Sequence, residues 1–170
     1  MAVRMNVSGR YGTHLPVLIK ALEKTSGDVL ELGMGVFSTP YLHYKCILDD
    51  RKLVSYENYR DWMNFFIKYG YKHPNHEIHF VDKYEDARID DKTWSVALID
   101  QTPDSSRVET IKRLASLVEY IVIHDSNGRY NKIYHYDTIY PLFKFHTVWD
   151  QDSNHAAVLS NFTNLDDFWK

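Results

Sequence analysis

The chain has 170 residues, a length suited to one domain, and its 44% hydrophobic and 25% charged residues can bury a full core without disulfides or a structural metal. Twenty basic against twenty-three acidic residues leave a net charge of −3 with no basic run, which argues against avid binding to a nucleic-acid backbone. A single cysteine, Cys46, excludes an internal disulfide and a cysteine zinc site.

The first residues, MAVRMNVSGRYG, lack the apolar core of a signal peptide, and no apolar run approaches the ~20 residues of a membrane span. A soluble cytoplasmic protein is the expectation, with no membrane partner, and the Asn-x-Ser/Thr matches at Asn6 and Asn161 are read as chance.

Residues 13–25 carry Leu15, Leu18 and Leu22 on one helical face, with Thr13 as the expected N-cap and Gly27 beyond the end. Val29–Leu32 reads as a strand. Thr39-Pro40 signals a helix start, and that helix runs to about Leu48 with Cys46 expected to be a buried structural thiol. Leu53–Glu57 is a second strand. Residues 59–69 form an aromatic-rich helix closed by Gly70, in which Tyr59, Trp62, Phe65, Phe66 and Tyr69 are expected in the core or an interface.

Residues 77–81 and 95–100 are the third and fourth strands. Over 106–118, Val108, Ile111, Ala115 and Val118 make an amphipathic stripe. Residues 120–125 are a fifth strand, and 132–142 a further helix. Phe145–Trp149 and Ala156–Ser160 are joined by the turn-rich DQDSN, which predicts an antiparallel hairpin. Strands alternating with helices predict an α/β fold, with a mostly parallel sheet of seven strands and helices on both faces, in a single domain over 1–170.

Ligands of open parallel sheets sit outside the carboxyl ends of the strands, at a switch point in strand order. The segments to inspect are 33–38, 57–58, 82–86, 100–104 and 125–130, each polar immediately after an apolar run. Gly33-Met34-Gly35 allows close backbone approach to a ligand, and the helix start after it offers free N–H groups to a carboxylate or phosphate. A tight turn holding no ligand explains the same pattern. Glu57 adds to the ligand reading, since an acid about 20 residues beyond such a turn can meet ribose hydroxyls.

Glu31-Leu32-Gly33-Met34-Gly35, the acid Glu57 and the acidic ends of strands four and five resemble a class I S-adenosylmethionine (SAM)-dependent methyltransferase, with Ser38 where a dinucleotide fingerprint has its third glycine. Thr13-His14-Leu15-Pro16 and the run from Glu31 to Pro40 are similar to a small, largely uncharacterised subgroup carrying T/S-H-L-P and E-L-G-M-G-x-x-S-T-P. The resemblance spans about Thr13 to Asn161. It implies a Rossmann-like methyltransferase sheet and SAM as cofactor. Glu31, Gly33, Met34, Gly35, Ser38 and Thr39 would surround the methionine and ribose side, Glu57 would take the ribose hydroxyls, Asn58 and Tyr84 would lie against the adenine, and Asp100 would face the sulfonium and the acceptor.

Asp100, Asp125, His14 and His124 are the candidate catalytic residues; histidine suits deprotonation of a hydroxyl near neutral pH. A satisfied core histidine is the competing reading of His124. Metal-dependent O-methyltransferases place an Asp after strand four and an Asp-Asn pair after strand five around magnesium. Here Asp100, Asp125 and Asn127 form the corresponding set, with the Asn displaced by one residue; the expectation is no metal, with this set as the alternative. Asp100-Gln101-Thr102-Pro103 matches the D/N-P-P-Y/F motif of amino-methylating enzymes only at the Asp and one Pro, and is not credited. Tyr130, Tyr134 and Tyr136 would shape an acceptor pocket or sit on the surface.

The resulting expectation is methyl transfer from SAM to a small-molecule acceptor, at oxygen, with the chain acting alone, as a homodimer or with a partner. The alternatives are a non-catalytic SAM-binding sensor or subunit of degenerate methyltransferase fold, and a nucleotide-sugar or dinucleotide enzyme, which the short chain disfavours.

Overall fold

The computed structural model describes residues 8–103 and 105–170; the Asn6 sequence match lies outside them. In chain order the strands are β1 (Val29–Leu32), β2 (Leu53–Glu57), β3 (His76–Phe80), β4 (Trp94–Ile99), β5 (Val118–Ile123), β6 (Phe145–Trp149) and β7 (Ala156–Ser160). The α-helices are α1 (Leu15–Glu23), α2 (Ser38–Leu48), α3 (Arg60–Lys68), α4 (Ser105–Leu114) and α5 (Gly128–Tyr134).

All seven strands join one sheet in the order β3-β2-β1-β4-β5-β7-β6. Pairing is parallel from β3 through β5, and β7 lies antiparallel to both β5 and β6. The alternation of side chains across the sheet sorts the apolar residues into two cores. Leu30, Leu32, Ala97, Ile99, Ile121 and Ile123 face Ile111 and Leu114 of α4 and Tyr134 of α5. Val29, Leu53, Val96, Leu98 and Val122 face Val17, Leu18 and Leu22 of α1 and Leu42 and Cys46 of α2. Each buried Val, Leu or Ile side chain among these contributes roughly 1.5–3 kcal/mol of transfer free energy. Cys46 is buried as expected, and burial pushes its thiol up to about 12.

Several element ends differ from the sequence expectation. The cap of α1 is His14, not Thr13, whose hydroxyl instead lies 3.0 Å from His124 Nε2. Helix α2 begins one residue before Thr39, which is drawn inward to Glu31. The stripe over 106–118 overshoots: Leu117 N–H closes a turn onto Leu114 O, and Val118 pairs with Trp94 as the first residue of β5. The helix expected over 132–142 starts earlier, where Asn127 Oδ1 accepts from Tyr130 N–H, and stops at Tyr134 because His135 takes a left-handed conformation with φ 57°. Two short 3-10 turns, Tyr136–Thr138 and Tyr140–Leu142, replace its second half. Among the described residues no helix is long and apolar enough to cross a membrane.

Candidate functional site at the carboxyl ends of the strands

The chain leaves β1 toward β2 on one side and later returns to β4 on the other, so the crevice beyond β1 and β4 is the switch point of the sheet. Gly33 closes β1 with φ 89°. A Cβ placed on it would lie 2.6 Å from Asp100 O and 2.8 Å from Gln101 Cα. The glycine is therefore demanded by the crossing of two backbones, β1 against the end of β4, whether or not a ligand is present.

Glu57, at the end of β2, latches onto this turn. Its Oε2 accepts from Met34 N–H at 2.9 Å, and its Oε1 accepts from Asn58 N–H at 3.0 Å and Tyr59 N–H at 2.7 Å. Burial raises its carboxyl pKa, and the three N–H donors act against that rise. Asn58 Nδ2 donates to Thr102 O at 2.6 Å, bridging the loops after β2 and β4, and Trp62 Nε1 donates to Met34 O at 2.7 Å.

These ties frame a cavity of about 600 Å³ lined by Gly33, Met34, Glu57, Asn58, Tyr84 and Asp100, with Tyr59, Trp62, Thr102 and Pro103 completing its wall. A second chamber of about 220 Å³ is lined by Tyr11, Gly35, Val36 and Phe37 together with Met34, Trp62 and Asp100. The last three residues border both spaces. The short 3-10 turn Gly9–Gly12 supplies Tyr11, and Phe37 packs against Gly12. A cavity of about 580 Å³ at the amino ends of β4 and β5, lined by Asp28, Trp94 and Glu119 among others, lies at the opposite end of the sheet from the glycine turn.

Glu31, Ser38 and Thr39 line neither chamber; they are buried behind the turn, on the α2 side. Gly35 N–H donates to Thr39 Oγ1, and the Thr39 hydroxyl donates to Glu31 Oε1, both at 2.9 Å. Ser55 Oγ donates to Glu31 Oε2 at 2.6 Å. With its proton spent on Glu31, Ser55 Oγ accepts from His76 Nε2–H at 2.9 Å, and His76 Nδ1 accepts from His43 Nδ1–H at 2.8 Å. Burial lifts Glu31 to about 7, against the opposing bonds from Ser55 and Thr39. Burial, followed by the proximity of His43, pushes His76 down to about 3.

The candidate catalytic residues converge on the other flank. His124 Nδ1 lies 3.1 Å from Asp100 Oδ1, and Arg107 NH2 donates to the same oxygen at 3.0 Å. Arg107, inserted from α4, also donates to Gln101 O, His124 O and the Tyr136 hydroxyl. Burial pushes the Asp100 carboxyl up, but the charge and bond of His124 and the charge of Arg107 outweigh it and hold Asp100 at about 2. Burial pushes His124 down, and Asp100 overcomes it to give a raised value. His14 is 1% exposed, its ring 4.7 Å from that of His124; burial first, then His124, lowers it to about 4.

Asp125 and Asn127 do not assemble with Asp100 into the alternative magnesium set. Asp125 Oδ1 accepts from Asn154 Nδ2 at 2.6 Å, its Oδ2 faces Tyr134 and Arg107, and Asn127 is spent capping α5 and donating to Ser153 O. Arg107, which has its guanidinium against both Asp100 and Asp125, supplies the positive charge there.

Trp62, Tyr11, Phe37 and Arg107 are site residues that the sequence pattern does not single out. Trp62 and Phe66 both belong to the aromatic run of α3; Phe66 is core, while Trp62 is turned to Met34 and the cavities. Arg107 stands four residues before Ile111 on the stripe that packs against the sheet, and a cation on that stripe is the one signal the sequence offers for it.

No protein-family model matches the chain, and no curated protein matches its sequence. Its fold does match solved structures. The N-methyltransferase NodS from Bradyrhizobium japonicum is similar with a TM-score of 0.65 and 10% identity, over 88% of this chain and 94% of that one. The human methyltransferase 10 domain containing protein gives 0.62 and 11%, over 94% and 86%. Human methyltransferase-like protein 13, solved in complex with S-adenosylhomocysteine (SAH), gives 0.61 and 12%, over 87% and 82%. The seven-stranded sheet with its reversed terminal strand is the architecture that this chain shares with those methyltransferases.

Proposed function

We propose that the protein binds SAM in the larger chamber and transfers its methyl group to a small-molecule acceptor, at oxygen. The observation that carries this reading is the pair of adjoining chambers with Asp100 in the shared wall. The larger one has an acid and an amide, Glu57 and Asn58, where an adenosyl group presents its ribose and base edge. The smaller one, walled by Tyr11, Phe37 and Trp62, suits a compact acceptor.

In this reading Gly33, Met34 and Gly35 lie along the cofactor, and Tyr84 lies beside the adenine. The acceptor meets the methyl group at Asp100. Catalysis is chiefly approach and alignment for in-line transfer. In this reading the acceptor proton passes to Asp100, which lines both chambers, and on to the groups behind it: His124, with Asp125 beside it, and His14, which is neutral with one lone pair at pH 7. Proteins of similar fold, one an N-methyltransferase and another solved with SAH, support the cofactor class.

A second reading, a SAM-binding sensor or subunit without transfer, draws on the internal commitment of the carboxylates: Glu57 is spent on three backbone N–H groups and Asp100 on Arg107 and His124. Calorimetric titration with SAM and SAH, followed by a mass-spectrometric screen of hydroxyl-bearing acceptors, decides between them. Binding with methyl transfer supports the first reading. Binding without any transfer or cofactor turnover supports the second, and no binding of either ligand refutes both.

A further inference from the structure

We propose that His14, Asp100 and His124 form a site for one divalent first-row transition ion, such as zinc, against the smaller chamber. The three residues each offer one ligand atom, and these atoms lie within 4.8 Å of one another. Tetrahedral donors bound at about 2.0–2.2 Å stand roughly 3.4 Å apart, so the widest pair closes in by up to about 1.4 Å, within reach of side-chain rotation. Two imidazoles and one carboxylate are a donor set that suits zinc, iron, cobalt or nickel over magnesium.

The hydrogen bonds around the cluster point to a cation. The Thr13 hydroxyl donates to Arg10 O at 3.3 Å, so Thr13 Oγ1 accepts from His124 Nε2–H at 3.0 Å. With Nε2–H committed to Thr13, the Nδ1 of His124 faces a carboxylate oxygen 3.1 Å away, an arrangement that takes a proton or a metal ion between the two atoms. His14 distinguishes the two. It is 1% exposed, and neither of its ring nitrogens has a hydrogen-bond partner among the described residues. A proton on His124 leaves both of those nitrogens without a partner at a desolvation cost, whereas an ion takes one of them as its third ligand and leaves one. Thr13 on His124 then acts as the outer hydrogen bond that holds a ligating ring in place.

Charge balance agrees. With both rings neutral, as metal ligands must be, Asp100 and Asp125 against Arg107 leave one net negative charge, which a divalent ion inverts and an acceptor oxyanion then cancels. Asp100 also lines both chambers, so an ion held here borders the space where an acceptor hydroxyl would lie.

The full chain, stripped with a chelator, is titrated by calorimetry with zinc, cobalt(II) and magnesium ions in turn, and the cobalt form is read by visible absorption and paramagnetic NMR. The expected result is one equivalent of zinc or cobalt, ligand-field bands, and hyperfine-shifted signals from two imidazoles. His14→Gln, with folding verified by circular dichroism, is expected to weaken binding by about 10–100-fold. His76→Asn, which alters the separate His43–His76 pair, leaves it unchanged. Absence of stoichiometric binding, a preference for magnesium, full affinity in His14→Gln or its loss in His76→Asn overturns the proposal. The wild-type cobalt spectrum tests the site even should His14→Gln fail to fold. SAH titration of the stripped protein is a separate measurement, so the cofactor reading and the metal site fail independently.

Discussion

Glu31 Oε2 and Ser55 Oγ are 2.6 Å apart in the interior of the sheet, and through Ser55 the acid is coupled to His76. The pair has opposite pH linkages. Glu31 is lifted by burial from 4.5 to about 7, so the folded chain binds more protons than the unfolded one across that window, and its contribution to stability falls as pH rises from about 4.5 to about 7. His76 is pushed by burial from 6.5 to about 3, so the unfolded chain binds more protons, and its contribution grows as pH rises from about 3 to 6.5. Over the shared range the two slopes oppose each other. Glu31→Gln should leave a profile, relative to the parent, in which the rise with pH is steeper; His76→Asn should leave one in which stability falls instead. The difference is on the order of 3 kcal/mol for Glu31 and on the order of 5 kcal/mol for His76, each across its own window. Urea titrations of the three proteins at several pH values measure it, and parallel profiles would remove both groups from the linkage.

Gly33 is expected to be a residue of the fold before it is one of the ligand site. Gly33→Ala places a Cβ 2.6 Å from the Asp100 carbonyl in a left-handed conformation, with backbone on the receiving side that cannot turn away. A loss of about 2–5 kcal/mol follows from the strain and overpacking together. Chemical denaturation checks it. A variant of full stability with reduced cofactor binding would instead assign the glycine to the ligand alone.

Much of this architecture is legible in the chain. Strands β1, β2, β6 and β7 have the bounds their apolar runs predict, because the turns that flank them are marked by polar and glycine residues. The acid at the end of β2 is equally visible, but not its direction. Only three dimensions show that Met34 N–H comes within 2.9 Å of Glu57 Oε2, since the two residues belong to different strands' ends. The end of helix α5 escapes the sequence because its stop is a left-handed histidine, His135, a residue type whose preference for that conformation is too weak to mark a helix end. Arg107 hides in a stripe whose apolar members dominate the pattern, though it holds the ends of β4 and β5 together.

Glu57→Gln tests the latch directly. The carboxylate accepts from Met34, Asn58 and Tyr59, whereas an amide keeps one acceptor oxygen and turns an NH₂ toward an N–H donor. One charge-assisted contact is lost on either side, so stability should fall by about 1.5–3 kcal/mol, and on the proposed reading SAM affinity falls with it. Thermal denaturation and calorimetry on the same sample separate the two. Unchanged SAH affinity in a variant of lowered stability would confine Glu57 to the latch.

Arg107→Met and Arg107→Lys probe the cation that the helix α4 inserts beneath the site. Its guanidinium donates to Asp100 Oδ1 at 3.0 Å, Gln101 O at 2.8 Å, and His124 O and the Tyr136 hydroxyl at 3.3 Å each, and lies 4.5 Å over the Tyr134 ring. Methionine fills the volume but strands the part-buried Asp100 carboxylate and two carbonyls, which should cost about 2–4 kcal/mol. Lysine keeps the charge, yet a single ammonium cannot span acceptors set around a planar fork, so it should recover only part of that loss. Equilibrium unfolding gives both numbers. Full recovery by lysine would mean that charge alone matters at this position, and a neutral methionine variant would mean that Asp100 finds its partners without the arginine.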